Sequence, residues 1–159
     1  MIVVLIGVFF LNIHSAYAES AQEYLKGGNT YLNQGNLIQA LSEFTQAIKI
    51  DPTYAEAYYN RGIIYAMQHN FTQAIFDFTE AIKLDPNYIE AYYNRAIAYE
   101  CQHDFTQAIS DFNKASELDP AYAEAYTDRG VAYSIQHNFT QAIADFTQAI
   151  VINPNYTEA

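Results

Sequence analysis

Apolar and small residues recur along this chain with the period of an α-helix. Tyr58, Gly62 and Tyr65 are spaced by four and three residues, which places them on one face of a helix. The same spacing marks one face of a second predicted helix a few residues later, through Ala74, Phe78 and Ala81. The pattern predicts two short helices joined by a polar turn.

This helix pair repeats every 34 residues. Segments 55–88, 89–122 and 123–156 align without a gap, and the more divergent segment 21–54 extends the series. Four units therefore fill residues 21–156, and residues 157–159 are interpreted as the start of a fifth. A fixed period of this length indicates a helical repeat array.

Polar residues and prolines mark the ends of the predicted helices. One series of polar residues, each three positions before a Gln, predicts a capping box at the start of the second helix: Asn36, Asn70, Asp104 and Asn138. Another series, each three positions before a Glu, predicts a capping box at the start of the first helix: Ser20, Thr53, Asn87 and Asn155. A proline ends each second helix: Pro52, Pro86, Pro120 and Pro154.

Small residues stand where the two helices of a unit are expected to come close. The first helix carries Gly28, Gly62, Ala96 or Gly130 at one shared position. The second helix carries an alanine at the facing position: Ala40, Ala74, Ala108 or Ala142. One turn later it carries a phenylalanine: Phe44, Phe78, Phe112 or Phe146. Larger side chains at the Gly or Ala positions would push the helices apart.

With these small and aromatic positions and the closing proline, each unit resembles the tetratricopeptide repeat over its whole length. The resemblance covers the whole predicted mature chain. It implies an all-α, right-handed superhelical solenoid of antiparallel helix pairs, in which the first helices line a concave groove. In that family the groove commonly holds an extended peptide or a helix of a partner protein.

First-helix positions that do not face the core are expected to line this groove. They are Tyr59, Asn60 and Ile63 in repeat two, Tyr93, Asn94 and Ile97 in repeat three, and Thr127, Asp128 and Val131 in repeat four. Asn can donate and accept hydrogen bonds to a peptide backbone, and Tyr and Ile add apolar area. The alternative is that these residues recur only because the gene duplicated.

Some members of the family clamp a carboxylate with Lys, Asn and Arg. Asn29 and Asn60 stand at the two asparagine positions of that clamp, but the basic positions hold Leu25, Glu90 and Asn94. Carboxylate capture of that kind is therefore not expected.

The charge balance narrows the class of partner. Acidic residues outnumber basic ones by 18 to 7, for a formal net charge of −11. Such a chain repels nucleic acid, so we expect a protein or peptide partner that is basic or neutral.

Two further rows of residues recur without indicating an active site. His69, His103 and His137 are interpreted as solvent-facing turn residues rather than metal ligands, with Gly35 at the same place in repeat one. Arg61, Arg95 and Arg129 are expected to pair with acidic residues of adjacent helices. We expect no catalytic residue, metal or cofactor, and the single cysteine, Cys101, excludes an intrachain disulfide.

The N-terminus differs in character from the repeats. Residues 2–11 are apolar, and Ala16-Tyr17-Ala18 fits a signal-peptidase site, which predicts a signal peptide over residues 1–18 and a mature array over residues 19–159. We expect a secreted or periplasmic protein with no stable membrane insertion after cleavage. The alternative is an uncleaved N-terminal membrane anchor.

Three functions are compatible with this sequence. The first is an exported adaptor or scaffold that binds a protein segment in its groove. The alternatives are a structural subunit of a cell-envelope assembly and the repeat region of a longer protein. Because a polar helix normally closes a repeat array, we also expect the uncovered last repeat to cause self-association or marginal stability.

Overall fold

A computed structural model describes residues 20–154, which form eight helices and no strand. Helix α1 covers residues 20–33. The others are α2 (Leu37–Ile50), α3 (Ala55–Met67), α4 (Phe71–Leu84), α5 (Ile89–Cys101), α6 (Phe105–Leu118), α7 (Ala123–Ile135) and α8 (Phe139–Ile152). The odd-numbered helices are the first helices of the four repeats.

The two helices of each repeat run antiparallel. Tyr58 near the start of α3 packs in one cluster with Ile82 near the end of α4. Tyr65 near the end of α3 packs instead with Phe71 and Ala74 at the start of α4. Each second helix then packs on the first helix of the next repeat, as Ala47 of α2 does in a cluster with Ala57 of α3. The predicted all-α solenoid of antiparallel helix pairs is confirmed.

In three of the four pairs the backbone of the first helix, at a glycine, touches the phenylalanine ring of the second; the third pair has Ala96 at this position. A Cβ added at Gly62 would lie 2.8 Å from Cε1 of Phe78. The corresponding distance is 2.5 Å for Gly28 and Phe44, and 2.7 Å for Gly130 and Phe146. Phe44, Phe78 and Phe112 are fully buried. The predicted close approach is therefore present, and it fixes the spacing within the pair.

The turn inside each repeat closes one helix and opens the next. His69 has φ of 58° and donates its N–H to the Ala66 carbonyl at 2.9 Å, while the Asn70 N–H donates to the Tyr65 carbonyl at 2.8 Å. These two bonds form the helix-ending motif that favours a left-handed residue. His103, His137 and Gly35 also have positive φ. The histidines are thus exposed turn residues, as expected.

Only half of the first predicted capping box is formed. The side chains of Asn36, Asn70 and Asp104 accept from the backbone N–H three residues later, whereas Asn138 makes no such bond. The return bond of the box would need the N–H of the cap residue. That N–H already donates to a tyrosine carbonyl of the preceding helix, as in Asn70, so the glutamine is not required there.

The second predicted capping box is wrong. The first helices are capped by Tyr54, Tyr88 and Tyr122, without a side-chain bond, and Ser20 lies inside α1. Thr53 instead donates its N–H to Oδ1 of Asp51 at 2.9 Å, and Asn87 donates to Asp85 at 3.0 Å. The aspartate before each of the first three prolines organises the turn, so the chain enters the helix one residue later than the pattern indicated. Asn155 lies outside the described residues.

A buried arginine connects three helices at each interior junction. Arg95 of α5 donates Nε and Nη2 to the two carboxylate oxygens of Asp111 on α6, both at 2.7 Å. Its Nη1 donates to Thr79 of α4, in the preceding repeat, at 2.9 Å. Arg61 and Arg129 are held in the same way by Asp77 and Asp145. The expected pairing is confirmed, and the third contact aligns each first helix between two second helices.

Each arginine–aspartate pair adds little net free energy to folding, because both charged groups lose solvation when they are buried. Desolvation raises the pKa of the Asp77 carboxyl, and the hydrogen bonds and charge of Arg61 offset only part of that effect. A buried pair contributes little net free energy, but removing one partner strands a buried charge.

We therefore predict that Arg95→Ala lowers the free energy of unfolding by about 3–5 kcal/mol, because Asp111 is left buried and unpaired. The double variant Arg95→Met with Asp111→Leu should recover most of that loss. Urea unfolding followed by circular dichroism measures both. The control Lys114→Ala breaks an exposed pair with Glu117 and should change stability by less than about 0.5 kcal/mol. A double variant as unstable as Arg95→Ala would contradict this account.

Candidate functional site

The predicted groove residues lie along the seams between successive first helices. Seven of the nine are half-buried: Tyr59, Asn60, Ile63, Tyr93, Asn94, Ile97 and Asp128. Val131 is more open, with 42% of its surface exposed. Ile63 and Ile97 pack against the core clusters of their own repeats. The surface that they share is therefore partly structural.

A ladder of side-chain hydrogen bonds joins one first helix to the next. Nδ2 of Asn60 donates to Oδ1 of Asn29 at 3.0 Å. Nδ2 of Asn94 donates to the hydroxyl of Tyr59 at 3.0 Å, and the Tyr93 hydroxyl donates to Oδ2 of Asp128 at 2.7 Å. Each bond spans a repeat boundary.

The ladder limits what the asparagines can offer to a ligand. Nδ2 of Asn94 also donates to the Glu90 carbonyl at 2.8 Å, so both of its amide hydrogens are used. Asn94 would offer its side-chain oxygen to a bound peptide rather than its amide hydrogens.

The groove tyrosines also belong to aromatic clusters. The Tyr59 ring lies 4.8 Å from the Tyr88 ring and 5.8 Å from that of Phe78. Tyr93 stands in the same relation to Tyr122, at 4.9 Å. Burial, and then the charge of Glu90, raises the pKa of Tyr59. Tyr88 and Tyr122 were not predicted as part of this region, although a tyrosine two residues after each proline was a visible signal.

Thr127 does not line the groove surface. Only 4% of its surface is exposed, and its hydroxyl donates to the Ala123 carbonyl at 3.1 Å within the same helix. Thr127 is shorter than the tyrosines at the equivalent positions. Its short side chain bonds back to its own helix, as threonines within helices commonly do.

An open depression of about 580 Å³ lies at the N-terminal end of the groove, between α1 and the start of α3. Its lining includes Leu25, Lys26, Asn29, Tyr54 and Glu56. The bond from Nδ2 of Asn60 to Oδ1 of Asn29 uses one amide hydrogen of Asn60 and leaves the amide hydrogens of Asn29 out of this contact. Lys26 is the one basic residue among those that line the depression.

Acidic side chains dominate the groove side of the first helices. Glu56, Glu90 and Glu124 are exposed in the first turns of α3, α5 and α7. The three arginines of these helices are taken up by their buried aspartates. A negative potential is therefore left along this surface of the array.

Glu100 on α5 is a residue that the sequence pattern did not single out. Its Oε1 is buried and has no hydrogen-bond partner. Desolvation, and then the charge of Asp128 on α7, raises the pKa of this carboxyl to about 7. The only available signal was that the equivalent positions hold Leu32, Ala66 and Ser134.

Residues 20–154 contain neither a cluster of metal ligands nor a helix that could span a membrane. They hold no group of three or more metal-ligating side chains placed to bind an ion. No helix there combines the length and the apolar character needed to cross a membrane.

Stacked helix pairs with a shared inner surface define a helical repeat module for protein interaction. A family profile described as "Tetratricopeptide repeat" matches residues 55–88, 89–122 and 123–156, and one described as "TPR repeat" matches residues 28–69. Together they cover well over half of the chain, which therefore belongs to the tetratricopeptide repeat family. A search of curated protein sequences gave no match.

Solved structures agree with this assignment. A crystal structure of MamA has 27% sequence identity and a TM-score of 0.83, over 91% of this chain and 85% of that one. The Arabidopsis OM64 TPR domain has 27% identity and a TM-score of 0.69, over 77% and 98%. The first TPR of Spaghetti (RPAP3), bound to the HSP90 peptide SRMEEVD, has 26% identity and a TM-score of 0.70, over 80% and 95%.

Proposed function

We propose that this protein is an exported, non-catalytic adaptor or scaffold that binds a basic or neutral protein segment in its groove. The observation that carries the proposal is the acidic inner surface of the first helices. The groove carries Glu90, Glu124 and Asp128, whereas the arginines are held in buried pairs on another side of the same helices. A Lys- or Arg-containing segment would meet this potential and the apolar edges of Ile97 and Val131.

The HSP90 peptide SRMEEVD that is bound to the RPAP3 domain is acidic, with two glutamates and a final aspartate. The groove of this chain would repel such a peptide. We therefore propose that it differs from that relative in the charge of its ligand.

The test must avoid the tyrosines, because Tyr59 and Tyr93 support the packing between repeats. Glu90→Lys with Glu124→Lys changes exposed groove residues instead. We predict that this variant binds a fluorescent peptide of alternating Lys and Ala at least about tenfold more weakly than the unmodified protein, since two attractive charges become repulsive. Fluorescence anisotropy at about 0.15 M salt, where the Debye length is about 8 Å, measures the affinity.

The matched control is Glu80→Lys with Glu117→Lys, which makes the same change in net charge on second helices. These two glutamates pair with Lys83 and Lys114. The control should change affinity by less than about twofold if only screened, distant charges act. A larger loss in the control than in the groove variant would contradict groove binding.

Export is the second part of the proposal and rests on residues 1–18, which lie outside the described residues. In the native host, mass spectrometry of the purified protein should find Glu19 as the first residue. Full-length chain in the membrane fraction would favour the uncleaved anchor instead.

A structural subunit of a cell-envelope assembly is the second candidate, favoured by the exposed apolar face of α8. Ile143 and Val151 are exposed over 66% and 68% of their surface. The opposite end of the array is different: α1 carries Glu23 and Thr30 where α3 has the fully buried Ala57 and Ile64. The two ends are not complementary, so we propose that association pairs α8 with α8 of a second copy, in a closed dimer.

Light scattering during size-exclusion chromatography tests this association. We predict a dimer for the unmodified protein and a monomer for Ile143→Lys with Val151→Lys, because two charges would be buried at the contact. The control Ile38→Lys changes a residue of α2 that is 78% exposed and should leave the dimer intact. A monomer in the unmodified protein would contradict the proposal.

A further inference from the structure

One pair of facing positions between first helices is charged in a single seam. In the seam between α5 and α7, Glu100 faces the charge of Asp128. The equivalent positions are Ala66 and Asn94 between α3 and α5, and Leu32 and Asn60 between α1 and α3. This pair of positions is therefore charged in one seam and neutral in the other two.

The surroundings leave Glu100 without a counter-charge. Ala66, its equivalent, packs against a cluster formed by Ala74, Phe78 and Ala98. The corresponding positions around Glu100 are Ala108, Phe112 and Ala132, which are all apolar. Oε1 of Glu100 is buried in this setting with no hydrogen-bond partner.

Glu90 and Glu124 lie exposed in the first turns of α5 and α7. The following charged groups near this seam are engaged. Asp128 accepts a hydrogen bond from Tyr93. On α6, Asp104 caps its own helix and Asp111 is held by Arg95. On α4, Asp77 is held by Arg61 and Glu80 by Lys83. His103, beyond the end of α5, packs on Phe105. The titratable neighbour of Glu100 on its own helix is the exposed Cys101.

We propose that Glu100 and Asp128 make the α5–α7 seam a proton-sensitive joint, closed when Glu100 is protonated and strained when it is ionised. Ionisation places two like charges across a seam in which one of them has a buried oxygen without a hydrogen-bond partner. The equivalent pairs of positions in the other two seams hold no carboxylate and do not respond. This proposal concerns the seam itself and holds whether or not the groove binds a segment.

The raised pKa of Glu100 determines how the stability of the folded chain changes with pH. The pKa of Glu100 is about 7 in the folded chain, above its ordinary value of 4.5, so the folded state holds this proton more tightly. Below about pH 4.5 both states are protonated and the residue has no effect. As pH rises towards 7 the unfolded state ionises first, and stability falls until it levels off above 7.

The first experiment compares the melting temperature of the unmodified protein and of Glu100→Gln between pH 5 and pH 8. The unmodified protein should lose about 4 °C more than the variant across this window. Taking the difference between the two proteins cancels the contribution of every titratable group other than Glu100. Equal slopes for the two proteins would overturn the proposal.

The second experiment moves the joint to another seam. Ala66→Glu with Asn94→Asp reproduces the charged pair between α3 and α5, where Tyr59 stands as Tyr93 does in the original seam. This variant should show a second loss of stability in the same pH window. A transplanted pair without added pH dependence would count against the seam as the cause.

Carbon NMR of the Glu100 carboxyl reads the titration directly. A midpoint near 7 is expected, and a midpoint between 4 and 5 would overturn the proposal even if the melting temperatures agreed with it.

Discussion

The distance between the two helices of each repeat depends on one contact, the phenylalanine ring of the second helix against the small residue of the first. A Cβ at Gly62 or Gly130 would stand within 3 Å of the ring, so the backbones approach as closely as the ring allows. In repeat three the small residue is Ala96, which lies in one buried cluster with Phe112. Similar helix pairs of this kind, stacked one on another, produce a curved inner surface, and every seam of the groove inherits its geometry from that repetition.

The arginine pairs and the tyrosine ladder act on opposite sides of the same first helices. Arg95 joins α5 to α4 and α6, while Tyr59 and Asn94 join α3 to α5. Each first helix is thus fixed in rotation as well as in position. The consequence for function is that the largest groove residues are occupied with holding neighbouring repeats together. The groove surface that is free to contact a ligand is therefore the exposed edge of acidic and aliphatic side chains. Substitutions that change the charge of this edge test ligand binding with the least effect on the packing between repeats.

Much of the fold was predictable because the same sequence pattern occurs four times in the chain. The 34-residue period, the small and phenylalanine positions and the closing prolines each depend on contacts within one helix pair. The misplaced capping box shows the limit: Thr53 and Glu56 have the right spacing, but Asp51 takes up the Thr53 N–H and shifts the start of the helix. Thr127 shows another limit, since its hydroxyl bonds within its own helix, whereas the tyrosines at the equivalent positions bond to a neighbouring first helix. The bond between Tyr93 and Asp128 depends on the stagger of successive repeats, which no single repeat encodes.

Repetition also explains where regulation can enter such a structure. A change in the core of one repeat alters a helix pair and therefore the whole curvature, but a change in one seam alters only the angle between two neighbours. The seams are where this chain departs from its own pattern, from Leu32 and Asn60 through Ala66 and Asn94 to Glu100 and Asp128. At these two positions only the α5–α7 seam is charged, while every repeat keeps its phenylalanine against a small residue of the first helix. A solenoid can thus acquire a local response to its surroundings without disturbing the packing that defines it.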